Sequence, residues 1–222
     1  MRAVITGGGV LGQEMARALA NATNEVTLVE ADDELVARLR EHTKAQIVHG
    51  DACDPAILEQ AGTLKADIVV AVTGDDEDNL VTALLAKRYF DVPKVVARVN
   101  NPENEWLFTD AWGVDVAVSS SSTLLSLIQE ATGSAETVNL LRLDNAGVNL
   151  IETSLNDLSL AVGMKLAEVH LPPGTVVATV VRNGEPHVPD GNFVFAAGDE
   201  ILLVSETATS TEVESAFQRP PR

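Results

Sequence analysis

Short apolar runs alternate with amphipathic stretches along the first half of the chain. The apolar runs predict strands at residues 3–6, 26–30, 46–49, 68–73, 95–99 and 114–118. Several of them are almost wholly apolar, which is typical of parallel strands covered on both faces. The stretches between them predict helices at residues 11–21, 34–42, 56–61, 78–90 and 103–112. Alternating strands and helices with short links predict an α/β domain at residues 1–118, built on a doubly wound parallel sheet.

The pattern changes after residue 118. Residues 119–133 predict one apolar helix, and Gly133, Ser134 and Ala135 follow as a hinge, so residues 119–135 are expected to connect two domains. The serine run at 119–122 is interpreted as a strand-to-helix turn with its N-cap rather than as a low-complexity linker. Residues 136–219 predict a second, smaller α+β domain.

Turn residues punctuate this second domain. Strands are expected at residues 138–143, 148–153, 176–182, 187–188, 193–195 and 201–205, with short helices at 166–169 and 211–217. Asn145-Ala146-Gly147 predicts a turn between the first two strands, and Asn183-Gly184 is a strong hairpin signal. Residues 219–222 form a polar tail.

Net charge limits the expected partners, and cysteine content indicates the compartment. The chain carries 15 Lys and Arg residues against 33 Asp and Glu residues, a formal net charge of −18. Because the basic residues are scattered, nucleic acid and anionic lipid are not expected as partners. The single cysteine, Cys53, fits a reducing compartment. No apolar stretch in the sequence approaches the roughly 18 residues of a membrane span. Any role at a membrane is therefore expected to depend on a partner that the chain contacts from the cytoplasmic side.

The string Gly7-Gly8-Gly9-Val10-Leu11-Gly12 follows the first predicted strand and opens the first predicted helix. It matches G-x-G-x-x-G, which is weak evidence alone and much stronger in this strand-turn-helix context. Gly7 permits a tight turn, Gly9 lets the backbone approach a pyrophosphate, and Gly12 lets helix and strand pack closely. The string predicts a nucleotide site, and a purely structural glycine turn is the alternative.

Glu30 ends the second predicted strand, 18 residues beyond Gly12. A carboxylate there can accept hydrogen bonds from ribose hydroxyls and would repel a 2′-phosphate. Glu30 therefore favours NAD or another adenosine nucleotide over NADP.

Further candidates follow the third and fourth predicted strands. Asp51 and Ala52 come after the third strand, and Thr73 and Gly74 end the fourth. Ligands of open α/β sheets lie beyond the carboxyl ends of the strands, so both pairs are expected in the crevice. The alternatives are that Asp51 caps a helix and that Thr73-Gly74 is a plain turn.

Arg98 lies near the carboxyl end of the fifth predicted strand. A guanidinium suits bidentate contact with phosphate, which we favour over a structural pair with an acid. The acidic run at residues 75–78 precedes a helix, whose dipole explains the charge, and no metal site is predicted.

Catalytic groups do not accompany this binding machinery. A dehydrogenase needs a proton-transfer group beside the nicotinamide. The single tyrosine, Tyr89, has Pro93 rather than a lysine four residues later, and no pair among the four histidines has metal-ligand spacing. This predicts a sensor and not an enzyme. An NAD-dependent oxidoreductase and a free-standing dinucleotide sensor are the alternatives.

With these residues in hand, the whole chain resembles the TrkA/KtrA family of potassium-transport regulators. The N-terminal half resembles the Rossmann-like RCK domain through the glycine string, Glu30, Gly50-Asp51-Ala52, Val72-Thr73-Gly74 with Asn79, and Ala97-Arg98-Val99. The C-terminal half resembles the small RCK C-terminal domain through Gly163-Met164-Lys165-Leu166, Val181-Arg182-Asn183-Gly184, Pro189-Asp190-Gly191 and Ala197-Gly198-Asp199-Glu200-Ile201-Leu202. The order and spacing of these segments are more specific than any one of them.

The resemblance implies a cytoplasmic regulatory subunit on the inner face of a potassium-translocating membrane subunit. It implies assembly as a homo-oligomer, from a dimer to a ring, or as a ring with a paralogue, in which nucleotide exchange gates transport. By position, it gives the binding role to Gly7, Gly8, Gly9, Val10, Leu11, Gly12, Glu30, Asp51, Ala52, Thr73, Gly74, Asn79 and Arg98.

One departure from the family pattern bears on the ligand. ATP-binding relatives place a glutamate in the turn after the sixth strand, whereas this chain has serines at 119–122. The expected cofactor is therefore NAD(H), with ADP, AMP or ATP as alternatives.

Overall fold

The computed structural model describes residues 1–20, 23–143 and 147–218, and the chain divides into two compact units, Met1–Ser121 and Ser122–Arg222. The predicted Asn145-Ala146-Gly147 turn lies outside the described residues except for its glycine, and the tail at 219–222 lies outside them entirely. Each unit is built around a sheet of its own.

The first unit contains six parallel strands in the order β3-β2-β1-β4-β5-β6. They are β1 Arg2–Thr6, β2 Glu25–Glu30, β3 Gln46–His49, β4 Ile68–Ala71, β5 Lys94–Val99 and β6 Val116–Ser119. The chain winds from β1 out to β3, returns to place β4 beside β1, and then continues outward to β6. The predicted doubly wound parallel sheet is confirmed, and its order reverses between β1 and β4, where a crevice opens at the carboxyl ends.

Helices cover both faces of this sheet. They are α1 Val10–Leu19, α2 Asp33–His42, α3 Pro55–Gln60 and α4 Asp76–Leu84. Ala16 of α1 and Leu39 of α2 pack on the face that carries Ile5. Leu58 of α3 and Ala83 of α4 pack in the cluster on the other face. This two-sided burial is why the strands are almost wholly apolar.

Local sequence decides where the helices begin. Asp32 caps α2 by accepting a hydrogen bond from the Leu35 amide at 2.7 Å, and Asp54 caps α3 by accepting one from the Ala56 amide at 2.8 Å. Pro55 is the first residue of α3, a position where a missing N–H is tolerated. These side-chain caps satisfy amide groups that would otherwise lack acceptors.

Two helix predictions need correction. α4 begins at Asp76, two residues before the prediction, and a π-helical turn, Leu85–Tyr89, follows it. The predicted α-helix at 103–112 is wrong, because the chain forms two 3-10 turns there, Pro102–Leu107 and Asp110–Trp112. Between the two turns, Phe108 leaves the helical conformation and buries its ring in the core, which interrupts any longer helix.

The helix α5, Ser120–Thr132, follows β6. Its four large apolar side chains are exposed by 49% to 60% of their surface: Leu124, Leu125, Leu127 and Ile128. None of the described helices combines the length and the apolar character that a membrane crossing requires.

The second unit contains five antiparallel strands in the order β10-β9-β11-β8-β7. They are β7 Thr137–Leu143, β8 Val148–Ser154, β9 Thr175–Arg182, β10 Glu185–His187 and β11 Glu200–Ser205, with a 3-10 turn at Leu166–Glu168 and a closing helix, α6 Ser210–Phe217. The predicted α+β character is confirmed.

In the second unit, one predicted hairpin is confirmed and one predicted strand is wrong. The hairpin at Asn183-Gly184 is confirmed, and both residues have the positive φ, 55° and 79°, that a two-residue turn of this type requires. The strand predicted at 193–195 is wrong. Val194 forms a single bridge with Lys165, and Phe195 turns into the core beside Phe217.

An ion pair with a buried carboxylate joins β9 to the start of β11. The carboxylate of Asp199 is fully buried and accepts two hydrogen bonds from Arg182, at 2.6 Å from Nε and 2.7 Å from Nη2. The Ala196 amide donates to the same carboxylate, and the Phe193 ring lies 4.9 Å from the guanidinium carbon. The hydrogen bonds to Asp199 raise the pKa of Arg182 above its ordinary value.

Candidate nucleotide site

The β1–α1 turn uses its glycines in different ways. A Cβ on Gly7, where φ is +97°, would lie 2.9 Å from the Thr73 Cα, and a Cβ on Gly12 would lie 1.9 Å from the Gly7 carbonyl oxygen. Folding itself therefore excludes side chains at these two positions. A Cβ on Gly9 would meet no atom within 4 Å. The absence of a side chain at Gly9 leaves open space above the amino end of α1.

The amino end of α1 has no side-chain cap. Gly9 is its N-cap, no acid lies in its first turn, and Val10 is 81% exposed. Gln13 donates its side-chain amide to the Gly8 carbonyl at 2.9 Å, which fixes the turn without covering the helix end. Free amide groups and the helix dipole make this end attractive to an anion such as a phosphate.

The Glu30 carboxylate is held at the rim of the same turn. Its Oε2 accepts a hydrogen bond from the Gly8 amide at 2.6 Å, and its Oε1 accepts one from the Asp32 amide at 2.8 Å. Each carboxylate oxygen can accept a further bond. The side chain is therefore oriented by the protein and still able to receive a ligand hydroxyl.

A cleft of about 360 Å³ lies beyond these strand ends. Six of the predicted site residues line it: Gly7, Gly9, Glu30, Ala52, Thr73 and Gly74. Six lining residues were not predicted: Val29, Ala31, Leu35, Gly50, Asp75 and Asp78. The other predicted residues lie outside the lining: Gly8, Val10, Leu11, Gly12, Asp51, Asn79 and Arg98.

Asp51 caps its own turn. Its Oδ1 accepts a hydrogen bond from the Cys53 amide at 2.8 Å. Burial, followed by the charges of Asp78 and Asp51, raises the pKa of the Cys53 thiol to about 12. The thiol beside the cleft is therefore protonated and unreactive at neutral pH.

Asn79 positions the turn at the end of β4. It is fully buried, and its Oδ1 accepts hydrogen bonds from the amide and the hydroxyl of Thr73, both at 2.9 Å. Its Nδ2 donates to the Arg98 carbonyl at 3.0 Å. Asn79 thus joins the ends of β4 and β5 beneath the cleft, and Thr73 is the residue that faces the opening.

Sequence reasoning missed a second positioning residue, Asp76. It is buried and accepts four hydrogen bonds, from the amides of Asn100 and Asn101 and from the side chains of Asn100 and Asn104, at 2.6 to 3.1 Å. Burial raises the pKa of Asp76, but these hydrogen bonds outweigh it and hold the pKa below its ordinary value. The three asparagines at positions 100, 101 and 104 were the available signal, although nothing in their spacing pointed to Asp76.

Arg98 lies on the sheet face that carries α1. Val95, Ala97 and Val99 point to the other face, so Val96 and Arg98 share this one. The Arg98 Nε is buried and has no hydrogen-bond acceptor among the described residues. A buried donor without an acceptor is costly, and a ligand anion would satisfy it.

A larger depression, of about 800 Å³, lies at the opposite edge of the sheet. Arg2, Lys44 and Lys65 line it, and Arg2 pairs there with Glu25 at 2.9 Å. Helices α1 and α2 end at this edge, and cations complement the carboxyl ends of helices. The chemistry of the smaller cleft, rather than size, identifies the candidate site. Among the described residues, no group of three or more His, Cys, Asp or Glu side chains could hold a metal ion.

Known proteins match nearly the whole length of the chain. The family model of the TrkA-N domain matches residues 3–120, and that of the TrkA-C domain matches residues 150–218. The Trk system potassium uptake protein TrkA of Mycobacterium tuberculosis is 39% identical over 214 residues, covering 96% of each chain. A TrkA homolog of Archaeoglobus fulgidus is 33% identical over 228 residues, covering 99% of this chain and 50% of that longer protein.

Solved structures share the fold at low sequence identity. The GsuK channel has a TM-score of 0.57 and 17% identity, covering 99% of this chain and 40% of that chain. The GsuK channel bound to NAD has a TM-score of 0.56 with the same identity and coverage. The TrkA-N domain of the inner membrane protein ybaL from Escherichia coli has a TM-score of 0.53 and 17% identity, over 59% of this chain and 95% of that one.

Proposed function

The chain belongs to the TrkA family of potassium uptake proteins, and on that premise we propose that it is the nucleotide-binding regulatory subunit of a potassium uptake system. It acts from the cytoplasmic side, on the inner face of the membrane, through a potassium-translocating membrane subunit. Relatives that are 39% and 33% identical carry the name Trk system potassium uptake protein, which supports this role.

The uncapped amino end of α1 is the observation that carries the nucleotide part of the proposal. A pyrophosphate placed above Gly9 meets free amide groups and no side chain. The buried Arg98 Nε, which lacks an acceptor among the described residues, lies on the same sheet face and would donate to a phosphate oxygen. The uncapped helix end favours an anionic ligand in the cleft, and the Arg98 Nε favours an anion on the same face of the sheet.

Glu30 favours NAD(H) or another adenosine nucleotide over NADP(H). A ribose with free hydroxyls can donate to the carboxylate, whereas a 2′-phosphate would meet its negative charge. ADP, AMP and ATP satisfy the same contacts and are the other candidates. The fold of the NAD-bound GsuK channel is compatible with this choice.

We propose further that ligand binding regulates transport rather than supporting catalysis. A ligand can shift an assembly between two shapes only through its different affinity for each. The apolar side chains of α5, exposed by 49% to 60%, would be covered in a dimer, a homo-oligomeric ring or a ring with a paralogue. Light scattering on the purified chain tests this, and a stable monomer at micromolar concentration would refute it.

An oxidoreductase or a free-standing sensor would share the nucleotide site. Hydride transfer from bound NADH to ketones or aldehydes, lost when the site is altered, would favour the oxidoreductase. Nucleotide binding without any association with a potassium-translocating subunit would favour the free-standing sensor.

The nucleotide site is tested by Gly9→Val. The Cβ of a valine at this position meets no protein atom within 4 Å, so the chain is expected to fold and to lose NAD affinity by about tenfold or more. Calorimetry measures the affinity, with Gly191→Val as a matched substitution in the second unit. In the unaltered chain, NADP is expected to bind roughly tenfold to a hundredfold more weakly than NAD. Unchanged NAD affinity in a folded Gly9→Val variant would refute the site.

A further inference from the structure

The depression of about 800 Å³ at the opposite edge of the parallel sheet lies at the amino ends of β1, β2 and β3, and we call it the amino-edge cavity. It exists because α3 is short. The six residues of α3 span roughly 9 Å, whereas the six residues of β2 span roughly 20 Å. Ala61 and Gly62, which follow α3, line the cavity, and so do Thr27 and Gln46, which are paired neighbours on β2 and β3. The helix therefore ends before it covers the amino ends of these strands.

The fold gathers basic residues in this cavity that are scattered in the sequence. Arg2, Lys44 and Lys65 line it together with one acid, Glu25. Lys44 follows the end of α2, where a cation also complements the helix dipole. Arg2 lies in a strand and Lys65 in the three-residue 3-10 turn Thr63–Lys65, so no long helix accounts for their charges. The lining thus carries an excess of positive charge in a chain whose net charge is −18.

Most hydrogen-bond donors of the amino-edge cavity are unused. Within the part of the chain that the structure describes, the side chains of four lining residues have no hydrogen bond or ion pair: Thr27, Lys44, Gln46 and Lys65. Arg2 donates its Nε to Glu25 at 2.9 Å, which orients the guanidinium group and leaves both Nη groups free to donate. The cavity therefore combines one oriented guanidinium with two ammonium groups, a hydroxyl and an amide.

This set of donors indicates the chemical class of a ligand. The donors come from separate segments of the chain, so they can surround a tetrahedral phosphate more completely than a planar carboxylate. Arginine and lysine are the side chains that bind phosphate most often. The volume is that of a small-molecule site and exceeds the size of a single phosphate ion. A long polyanion such as nucleic acid would also meet the acidic remainder of the chain, whereas a small anion can enter the cavity alone.

We propose that the amino-edge cavity is a second ligand site, which binds a small phosphorylated molecule. It lies at the amino ends of the strands, whereas the nucleotide cleft lies at their carboxyl ends. The inference does not depend on the proposed function, because it uses none of the residues that line the nucleotide cleft.

The test is calorimetric titration of the full chain with inorganic tripolyphosphate. All titrations use the Gly9→Val background, so that the amino end of α1 contributes little to the signal. Lys44→Ala with Lys65→Ala is expected to weaken binding about tenfold or more, because hydrogen bonds from charged donors are lost. Arg17→Ala with Arg38→Ala removes the same charge from residues outside both cavities and is expected to bind normally.

Thr27→Val distinguishes a built site from a diffuse attraction to lysines. It removes one hydroxyl from the floor of the cavity without changing the charge, and we expect binding about threefold weaker. Thermal unfolding confirms that each variant is folded. The same substitutions in the unaltered chain should leave NAD affinity unchanged.

Several outcomes would overturn the proposal while leaving the proposed function intact. No binding of tripolyphosphate, or equal losses in the lysine pair and the arginine pair, would show that the cavity binds no phosphate. Unchanged binding by Thr27→Val would show a diffuse charge effect in place of a site. Citrate binding as tight as that of tripolyphosphate would overturn the assignment to phosphorylated ligands.

Discussion

The first unit leaves polar groups open at its ligand edge, whereas the second unit closes its buried polar groups on one another. In the first unit, α1 begins at an uncapped glycine and the Arg98 Nε lacks an acceptor among the described residues. In the second unit, Asp199 accepts hydrogen bonds from Arg182 and from the Ala196 amide. The buried Gln218 side chain is likewise bonded at both ends. The open polar groups of the first unit are those that the proposed ligand would meet, whereas the bonded polar groups of the second unit stabilise its fold.

Asp199→Ala removes a buried, hydrogen-bonded carboxylate from the second unit and has the largest expected effect. Removing the carboxylate leaves the guanidinium and the Ala196 amide without their acceptor, which costs about 3 kcal/mol of unfolding free energy. Arg182 is one-third exposed and regains some hydration, so we expect the lower end of the range for buried pairs. Urea unfolding measures the loss, and NAD affinity is expected to stay unchanged.

Glu185→Ala is the matched control, because Glu185 faces Arg182 across the β9–β10 ladder and is exposed. Equal stability of the two variants would show that the ion pair contributes nothing.

Asp76→Asn tests whether a buried, hydrogen-bonded carboxylate also stabilises the first unit. The amide removes a charge that accepts four hydrogen bonds, and we expect a loss on the order of 2 kcal/mol together with weaker NAD binding. Because the pKa of Asp76 is lowered on folding, its carboxylate stabilises the protein above the ordinary value of 3.8. That contribution disappears as the pH falls below this value through the folded-state pKa.

Unfolding measured at neutral and acidic pH checks both expectations. The stability gap between Asp76→Asn and the unaltered chain should narrow in acid, while Glu77→Gln, an exposed neighbour, should show no gap at any pH. A gap that widens in acid would contradict the assigned role of Asp76.

Thr209→Ala has the smallest expected effect. Thr209 and Glu212 form a capping box at the start of α6, with the Glu212 side chain accepting from the Thr209 amide at 2.9 Å. Loss of this cap should cost about 1 kcal/mol without changing NAD affinity. Thr211→Ala, an exposed substitution in the same helix, is the control in urea unfolding. An equal loss in both variants would mean that the cap is not responsible, because alanine is a better helix former than threonine.

Element type was predictable where the local pattern and the tertiary fold agree. The apolar strands of the first unit were placed because both sheet faces are buried, and the Asn183-Gly184 hairpin because its backbone needs a positive φ. The strand predicted at 193–195 failed because Phe195 is drawn into a core that no local pattern describes. The helix predicted at 103–112 failed for the same reason at Phe108.

Some features of the candidate site were likewise predictable from the local sequence, whereas others depend on the tertiary structure. Glycine positions, the acid at the end of β2 and the residues after β3 and β4 follow from the order of strands and turns, which the sequence carries locally. The assignment of Thr73 to the cleft and of Asn79 to the support beneath it depends on burial, and burial depends on which helices cover each face.

The amino-acid sequence by itself determined the parallel sheet and the glycine turn, and it predicts a nucleotide ligand, because these depend on residues close together in the chain. Folding decided the roles of Asp76 and Asn100, since they meet across 24 residues of sequence, and the exposure of Trp106 beside a buried Phe108. Contacts between distant segments arise from packing that minimises exposed apolar surface while satisfying buried polar groups, and no local pattern encodes that balance.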